Sequence, residues 1–431
     1  MPQTALHSSR PRHVVVIGAG AAGSMAAIFA ATAGADVTLI ERTRDGGRKI
    51  LISGGGRCNV LPLRVDESRF VTDSSPNVLR KMIRSWPLAD QRAFFETTLG
   101  IPLSEEVESL KVFPTSHRAR DVRDGLLSYA QRVGVTLRME TTVTGMTPTA
   151  TPTGAPSATG WDVAIDNDSP LSADAVIVAT GGLSVPNTGS DGMGLNMLRL
   201  LGHEMHPTYA ALTPITTNAP EFTALSGISI AVTITAKSAL HSAQATGGFL
   251  FTHHGYSGPS VLDVSHVIVR ARHTQQPARL SVQWTALGDA EWNSALQPHG
   301  ARTVTGALRN ELPDRLASAL LAQANVDPHR PLSELRREER LRLIDTLVRG
   351  ELLWTGDEGY KKAEVTGGGV ALAEVQPRTM ESRRHRGLFL CGEVLDAFGP
   401  IGGYNFLWAW ATGRAAGLGA ANAGPSIDQP S

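Results

Sequence analysis

Short apolar runs and one longer alanine-rich segment follow each other near the start of the chain. Val14 to Ile17 is an unbroken apolar run, which is typical of a strand buried on both faces of a parallel sheet, and Val37 to Ile40 reads as a second apolar strand. The segment between them, Ala21 to Ala33, favours a helix, and Gly34 is placed to end it. This order of strand, helix and strand predicts the beginning of a doubly wound α/β domain.

Further buried strands are predicted in two distant parts of the chain. In the first part, Val135 to Val143 and Trp161 to Ile165 are predicted strands, and Ala175 to Ala179 is a predicted buried strand. Gly387 to Leu390 reads as another buried strand, and a helix from Phe406 to Ala416 follows it. We therefore expect the doubly wound domain to be built from two sequence segments.

The pattern between those two segments is different. Short strand-like runs alternate with turns from about Met205, which predicts an inserted small β-barrel or sandwich, and helical periodicity runs from Trp292 to Trp354. The predicted strands of the insertion are Ile228 to Ala236, Gly248 to Thr252, Val261 to Val264 and Arg279 to Trp284. The doubly wound domain is predicted to comprise residues 13–200 and 356–418. The inserted barrel is predicted at 201–290 and an inserted helical domain at 291–355. Residues 1–12 and 419–431 are predicted to be disordered tails.

Three glycines at the G-x-G-x-x-G spacing separate the first strand from the first helix. Gly18 permits a tight turn, Gly20 allows the backbone to approach a pyrophosphate, and Gly23 allows close helix packing. Glu41 lies 23 residues after Gly18, near the spacing of an acid that binds a ribose hydroxyl. The alternative is a glycine-rich turn in an ordinary α/β domain. The residues predicted to meet a dinucleotide here are Gly18, Gly20, Ala21, Ala22, Gly23 and Glu41.

A basic, glycine-rich segment follows Glu41. Its consecutive glycines, Gly54 to Gly56, can present a row of N–H groups that binds an anion. The alternative is a flexible basic surface loop. It is not a Walker A loop, because no G-K-[S/T] follows the glycines. The residues predicted to meet the cofactor are Arg42, Arg48, Lys49, Gly55, Gly56, Arg57, Cys58 and Asn59.

Composition limits the class of protein. Forty basic and forty acidic residues cancel, so a broad nucleic-acid footprint is not expected, although a local basic patch remains open. The two cysteines form no C-x-x-C pair, which suits a reducing cytosol. No apolar run reaches the roughly 18 residues of a membrane span. We expect a cytoplasmic protein with no membrane and no metal partner, and the oligomeric state stays open.

Several motifs together resemble one family, the YhiN/BaiN-like flavoproteins, also known as the aminoacetone-oxidase-type FAD-binding family. The first is the G-x-G-x-x-G followed by GRKILISGGGRCN. The resemblance extends from about residue 14 to residue 417. The further matching segments are KVFPTSHRARDV (Lys111 to Val122), VIVATGG (Val176 to Gly182), FLFTHHGYSGPSVLDVS (Phe249 to Ser265), VTGGGVALAEVQPRTMES (Val365 to Ser382) and GLFLCGEVLDAFGPIGGYNFLWAWATG (Gly387 to Gly413).

The resemblance implies a tightly bound FAD. The backbone at Val143 would pass the adenine, and the start of the last helix would face the electron-rich edge of the flavin ring. An ordinary capped C-terminal helix is the alternative. FAD is favoured over NAD because a simple NAD fold has no role for that helix. The remaining implied contacts are Thr180, Gly181, Gly182, Gly392, Glu393, Asp396, Gly402, Gly403, Tyr404 and Asn405.

The resemblance also implies a reaction. NAD(P)H, bound transiently, would reduce the flavin, and the flavin would reduce an activated C=C bond in a small enone or in uridine of 23S ribosomal RNA. The second carbon needs a proton donor, for which Cys58, His254 and Tyr404 are the candidates.

Two other functions stay open. The first is an amine oxidase that passes electrons to O2. The second is a flavin-holding factor that binds RNA or the ribosome without turnover, which the basic residues Arg42, Arg44, Lys111, Arg118 and Arg120 motivate. The chain also departs from the family at Ala397 to Ile401 and at Leu407, where the surroundings of the flavin ring become more apolar.

Overall fold

The computed structural model describes residues 10–149 and 160–422. The chain divides into two compact units. The first unit comprises Met1–Thr208 and Val365–Ser431, and the second comprises Tyr209–Glu364. The finer division predicted from the sequence, with boundaries at 200, 290 and 355, stays a prediction.

A five-stranded parallel sheet forms the centre of the first unit. The strands follow each other across the sheet in the order Leu388–Leu390, Ala175–Val178, His13–Ile17, Asp36–Ile40 and Thr136–Arg138. Val14, Val15 and Val16 are fully buried, as expected for a strand covered on both faces. The sheet therefore unites the two distant segments, because Leu388–Leu390 pairs with Ala175–Val178.

Smaller elements surround this sheet. Two three-stranded antiparallel sheets contain Leu61–Pro62, Lys111–Pro114 and Leu103–Glu106, and Val143–Pro148, Trp161–Ile165 and Leu171–Ala173. Strands Met205–Ala211 and Val365–Val370 lie at the two points where the chain passes between units. The helices are Ala21–Thr32, Arg48–Ile52, Pro76–Ile83, Leu88–Ala93, Ala119–Arg132, Met193–Leu200 and Tyr404–Asn422.

The first helix (Ala21–Thr32) and the last helix (Tyr404–Asn422) pack backbone against backbone. A Cβ at Gly413 would lie 2.4 Å from the Ala22 carbonyl oxygen, and one at Gly417 would lie 2.2 Å from that of Ala26. Any larger residue at either glycine would push the helices apart. This packing fixes the first helix relative to the last helix.

The second unit contains a seven-stranded antiparallel sheet with helices. The strand order is Gly350–Glu351, Ala278–Gln283, Ser229–Ser238, Ser242–Phe251, Gly255–Ser257, Ile215–Thr216 and Gly356–Asp357. The helices are Pro220–Thr223, Pro259–His273, Asp289–Ala295, Val304–Leu308, Asp314–Gln323 and Arg337–Arg349. The hydrogen-bonded order has two ends, so the sheet is open rather than the closed barrel expected from the sequence.

Three sequence-based assignments need correction. Val261 to Val264 is not a strand but part of the helix Pro259–His273, because a short, mostly apolar segment fits a buried helix equally well and Pro259 favours a helix start. The predicted strand from Val135 to Val143 is two strands in different sheets. The last helix continues to Asn422, so residues 419–422 of the predicted tail are helical. Residues 1–9 and 423–431 of the tails lie outside the described residues.

No helix in the described parts of the chain is both long enough and apolar enough to cross a bilayer.

Candidate dinucleotide-binding site

The turn after the first strand leaves no room for side chains at two of its glycines. A Cβ at Gly23 would lie 1.8 Å from the Gly18 carbonyl oxygen, and one at Gly18 would lie 2.7 Å from the Ala179 oxygen. Gly18 also has a φ of 101°, which favours glycine. The end of the first strand and the start of the first helix are therefore pressed against the neighbouring strand end at Ala179.

Gly20 faces open space instead. It precedes the first helix with an ordinary φ of −79°, no side chain caps the helix, and a Cβ at Gly20 would meet no protein atom within 4 Å. The first N–H groups of a helix lack helical partners and carry the positive end of the helix dipole. Ala21 and Ala22 supply the first residues of this helix. The site thus fits the pyrophosphate of a dinucleotide.

Glu41 closes the same turn from the end of the second strand. Its buried carboxylate accepts hydrogen bonds from the Ala19 N–H (2.9 Å) and from the N–H and hydroxyl of Thr43 (2.8 and 2.7 Å). A carboxylate has about four acceptor positions, so Glu41 retains capacity for a ribose hydroxyl. Its orientation is fixed before any ligand binds.

The glycine-rich segment forms a compact left-handed turn. Gly54, Gly55 and Gly56 have φ values of 56°, 68° and 85°, and a Cβ at Gly55 would meet no protein atom. Among the described residues, the buried Oδ1 of Asn59 and Oγ1 of Thr180 have no hydrogen-bond partner. Buried polar atoms are rarely left unpaired, so both atoms are suited to a bound ligand.

Three arginines of this segment are paired with carboxylates. Arg42 pairs with Asp191, and Arg48 pairs with Asp45 at 2.9 Å. Arg57 pairs with Glu106 at 2.9 Å, and its guanidinium lies 4.1 Å from the centre of the Phe113 ring. These partners neutralise much of the positive charge that was expected to face a phosphate. The role of Arg42, Arg48 and Arg57 in binding FAD stays a prediction.

Lys49 takes part in a network that connects three parts of the sequence. Its ammonium lies 2.6 Å from Oε2 of Glu393 and also donates to the Ser184 hydroxyl. Oε1 of Glu393 accepts from that hydroxyl (2.7 Å) and from the Thr366 N–H (2.9 Å). Burial alone would raise the pKa of Glu393, but the Lys49 charge and the hydrogen-bond donors together lower it. Glu393 is therefore held as a carboxylate.

Asp396 lies near the end of the first unit's sheet and holds a turn of the chain. It is fully buried, and its Oδ2 accepts hydrogen bonds from Asp73 and Ser74 N–H groups and from the hydroxyls of Ser74 and Thr72, at 2.8 to 2.9 Å. These four bonds give Asp396 a structural role. Its predicted contact with FAD stays a prediction.

Gly402 and Gly403 precede the last helix in left-handed conformations, with φ of 111° and 94°. A Cβ at Gly403 would lie 2.4 Å from the Leu61 carbonyl carbon, so the turn is closely packed. Asn405 bonds Gly399 twice, donating to its carbonyl and accepting from its N–H, both at 2.9 Å. The Asn405 side chain thus orders the turn itself.

The remaining predicted contacts lie along the strand ends. Val143 is buried and begins the strand Val143–Pro148. A Cβ added at Gly182 would lie 2.4 Å from Thr366 Oγ1, so Gly182 leaves no room for a side chain. Gly181 and Gly392 both have a φ of 75°, and a Cβ at Gly392 would lie 2.8 Å from that of Ala22. Gly392 thus joins the C-terminal segment to the start of the first helix.

The three candidate proton donors have different surroundings. Cys58 is fully buried, and burial raises the pKa of its thiol to about 12. The Tyr404 hydroxyl donates to the Arg64 carbonyl (3.2 Å) and accepts from the Asp66 N–H (3.3 Å). His254 is exposed and lies in the second unit, where it lines an open cleft together with His253.

Sequence reasoning missed Ser184 and Thr366 as partners of Glu393. Ser184 follows the A-T-G-G motif by two positions, and Thr366 directly precedes the glycines Gly367 to Gly369, so both lie beside recognised signals. The contacts of Thr72 and Ser74 with Asp396 had no comparable signal, because more than 300 residues separate them in the chain.

The fold and this site define a dinucleotide-binding α/β protein. Comparison with known proteins gives the narrower assignment. The chain belongs to the HI0933-like family, since the HI0933-like protein Rossmann domain matches residues 12–419. This confirms the resemblance to YhiN/BaiN-like flavoproteins and the FAD-dependent oxidoreductase class that the sequence indicated.

Two relatives cover nearly the whole chain. The ribosomal RNA dihydrouridine synthase of Escherichia coli is 32% identical, over 92% of this chain and 95% of the relative. The 3-dehydro-bile acid delta(4,6)-reductase of Clostridium scindens is 31% identical, over 94% and 98%. Among solved structures, a 3-ketosteroid delta1-dehydrogenase from Sterolibacterium denitrificans has a TM-score of 0.50, 12% identity, and coverage of 96% and 100%. That likeness supports the fold alone.

Proposed function

We propose that the protein is an FAD-dependent reductase that uses NAD(P)H to reduce a C=C bond conjugated to a carbonyl group. The observation that carries the proposal is the open space before the uncapped first helix at Gly20, which suits a dinucleotide phosphate. The names of the two relatives support the reaction, because dihydrouridine and a delta(4,6)-reduced steroid both arise by adding two hydrogens across a conjugated double bond.

Uridine in ribosomal RNA is the proposed substrate, and a small enone is the second candidate. NAD(P)H and one proton are consumed, the C=C bond becomes a saturated CH–CH bond, and NAD(P)+ is released. FAD, when bound, supplies the two-electron chemistry between donor and substrate. An RNA substrate would agree with the expected cytoplasmic location.

The residues of the chain would bind the cofactor and orient it. The start of the first helix offsets the pyrophosphate charge, and Glu41 is held ready for a ribose hydroxyl. The unpaired Asn59 and Thr180 oxygens are available to cofactor hydroxyl or amide groups. Lys49 keeps Glu393 ionised, so Glu393 accepts hydrogen bonds without donating one.

The proton donor needs a pKa near the working pH and access to the substrate. The buried Cys58 thiol has a pKa of about 12, far above the working pH, and the Tyr404 hydroxyl is already engaged by two backbone groups. The His254 side chain is exposed and belongs to the second unit. All three remain candidates for substitution.

Anaerobic absorbance of the purified holoprotein tests the proposal. We expect rapid bleaching of the flavin band by NADPH or NADH, followed by reoxidation with unmodified ribosomal RNA and the appearance of dihydrouridine. Reoxidation by an enone but not by RNA would assign the second substrate. Reduction by amines with hydrogen peroxide formation would overturn the proposal in favour of the oxidase. RNA retention without any flavin reoxidation would favour the non-catalytic factor.

A further inference from the structure

The second unit contains an open cleft of about 690 Å³ that the proposed reaction does not explain. Its lining is polar throughout and comes from four segments of the unit, near residues 216–223, 253–254, 355–358 and 361–362. Ile215–Thr216 and Gly356–Asp357 are neighbouring strands of the sheet, so the sheet edge forms part of the wall. The cleft is thus built on regular structure.

The charges of the cleft favour an anion. Lys361 and Lys362 are exposed, and neither has an ion-pair partner among the described residues. Asp357 is paired with Arg272 at 3.1 Å, which compensates its charge. Glu358 is the other acid of the lining, so two ammonium groups face one uncompensated carboxylate.

The uncharged groups favour a nucleic acid over a simple anion. His253 and His254 expose two flat rings to the cleft, and unstacked RNA bases pack on such rings. The hydroxyls of Thr216 and Thr355 meet at 3.2 Å beside them. Hydroxyl groups of this kind can donate to or accept from a ribose 2′-hydroxyl.

We propose that this cleft binds single-stranded RNA, with Lys361 and Lys362 on backbone phosphates and His253 or His254 against a base. The proposal deepens the proposed function, on which it rests for the choice of RNA as substrate. It gives His254 a binding role in place of the proton-donor role considered from the sequence. The near-zero net charge of the chain is compatible with it, because the positive charge is local.

Salt-dependent binding of the holoprotein to a fluorescent uridine-rich RNA of about 20 nucleotides tests the cleft. Each phosphate contact contributes about 0.7 to the slope of log affinity against log salt for a single strand. Removing both lysines in Lys361→Gln/Lys362→Gln should therefore lower the slope by about 1.4. Between about 50 and 200 mM salt, the wild type should lose roughly sevenfold more affinity than this variant.

A charge-matched control is Lys81→Gln/Lys237→Gln, which removes two exposed lysines outside the cleft and should keep the wild-type slope. Equal slopes for the wild type and the cleft variant, or an equal fall in both variants, would overturn the proposal. His253→Ala/His254→Ala should weaken RNA binding with little change in slope. Thermal unfolding and flavin content check that each variant is folded.

The two proposals can fail separately. If dihydrouridine forms but the cleft variant binds RNA as the wild type does, the cleft assignment is wrong and the reductase stands. If the cleft variant loses RNA binding but no RNA reoxidises the reduced flavin, the cleft assignment stands and the proposed substrate is wrong.

Discussion

The ammonium of Lys49 lies 2.6 Å from the carboxylate of Glu393, although 344 residues separate them in the sequence. The pair connects the basic segment after the second strand to the segment that precedes the last helix. Ser184 contacts both partners, so a third segment is tied to the same point. The arrangement of the candidate site thus depends on one partly buried ion pair.

Replacing Glu393 by Gln should destabilise the protein. The neutral amide leaves the Lys49 charge without its partner in a site where both side chains are mostly buried. Loss of one partner from such a pair should cost about 2 kcal/mol of unfolding free energy. Urea unfolding of the flavin-free protein measures this cost. Glu351→Gln is the matched control, since Glu351 and Arg279 are exposed and 3.8 Å apart, and a change below about 0.5 kcal/mol is expected there.

The stabilisation by Glu393 should depend on pH. Its folded pKa is lowered, so its contribution is present above the unfolded value of about 4.3 and is lost as the pH falls through the folded pKa. The difference in unfolding free energy between the wild type and Glu393→Gln should therefore stay constant from about pH 7 to pH 5 and shrink below about pH 4. Urea unfolding across that range measures it, and a difference that grows on acidification would contradict the assignment.

Two glycines of the first motif should respond differently to alanine. Gly20→Ala places a methyl group in open space, so the flavin-free protein should unfold within about 0.5 kcal/mol of the wild type. Its FAD affinity should fall at least about tenfold if a pyrophosphate uses that space, which is about 1.4 kcal/mol. Flavin release measured by fluorescence gives the affinity.

Gly23→Ala serves as the contrasting variant. Its methyl group would lie 1.8 Å from the Gly18 carbonyl oxygen, so the helix must shift and the protein should lose stability even without FAD. Unchanged FAD binding in Gly20→Ala would place the cofactor phosphate elsewhere.

The strands, the first helix and the first turn of the first unit could be predicted from the sequence, because their conformation depends mainly on residues adjacent in the chain. The strands His13–Ile17, Asp36–Ile40 and Trp161–Ile165 agree with the apolar runs to within one residue. The first helix also follows directly from its composition. Glycine spacing marked the turn at Gly18, where contacts with Ala179 require the absence of a side chain.

Long-range partners could not be predicted in the same way. No sequence pattern predicted that Arg42 pairs with Asp191 or that Arg57 pairs with Glu106. The helix containing Val261 was missed because its apolar run alone does not distinguish helix from strand. Partner choice depends on the tertiary arrangement, which a single sequence pattern does not encode.

The two thiols should be inert in the folded protein. Burial raises the pKa of Cys58 to about 12 and raises that of Cys391 as well, so neither forms the reactive thiolate. A disulfide reagent at about pH 8 should label no cysteine in the native protein and both after denaturation. Leu240→Cys introduces an exposed thiol as a positive control. Rapid native labelling of Cys58 would show an accessible, ionised thiol and would favour Cys58 as the proton donor.

Asp396 should act on stability more than on cofactor affinity. Asp396→Ala removes four hydrogen bonds that a carboxylate oxygen accepts from Thr72, Asp73 and Ser74, which should cost about 3 kcal/mol. The Thr72 hydroxyl keeps the Asp396 carbonyl as a partner, and the Ser74 N–H keeps the Thr72 hydroxyl. Asp396→Asn keeps an oxygen for those donors but loses the charge, so a smaller cost of about 1 to 2 kcal/mol is expected. If Asp396 only holds the turn, Asp396→Asn should lower the unfolding free energy equally with and without saturating FAD. A larger loss in the presence of FAD would instead show that the carboxylate contacts the cofactor, as the sequence resemblance implied.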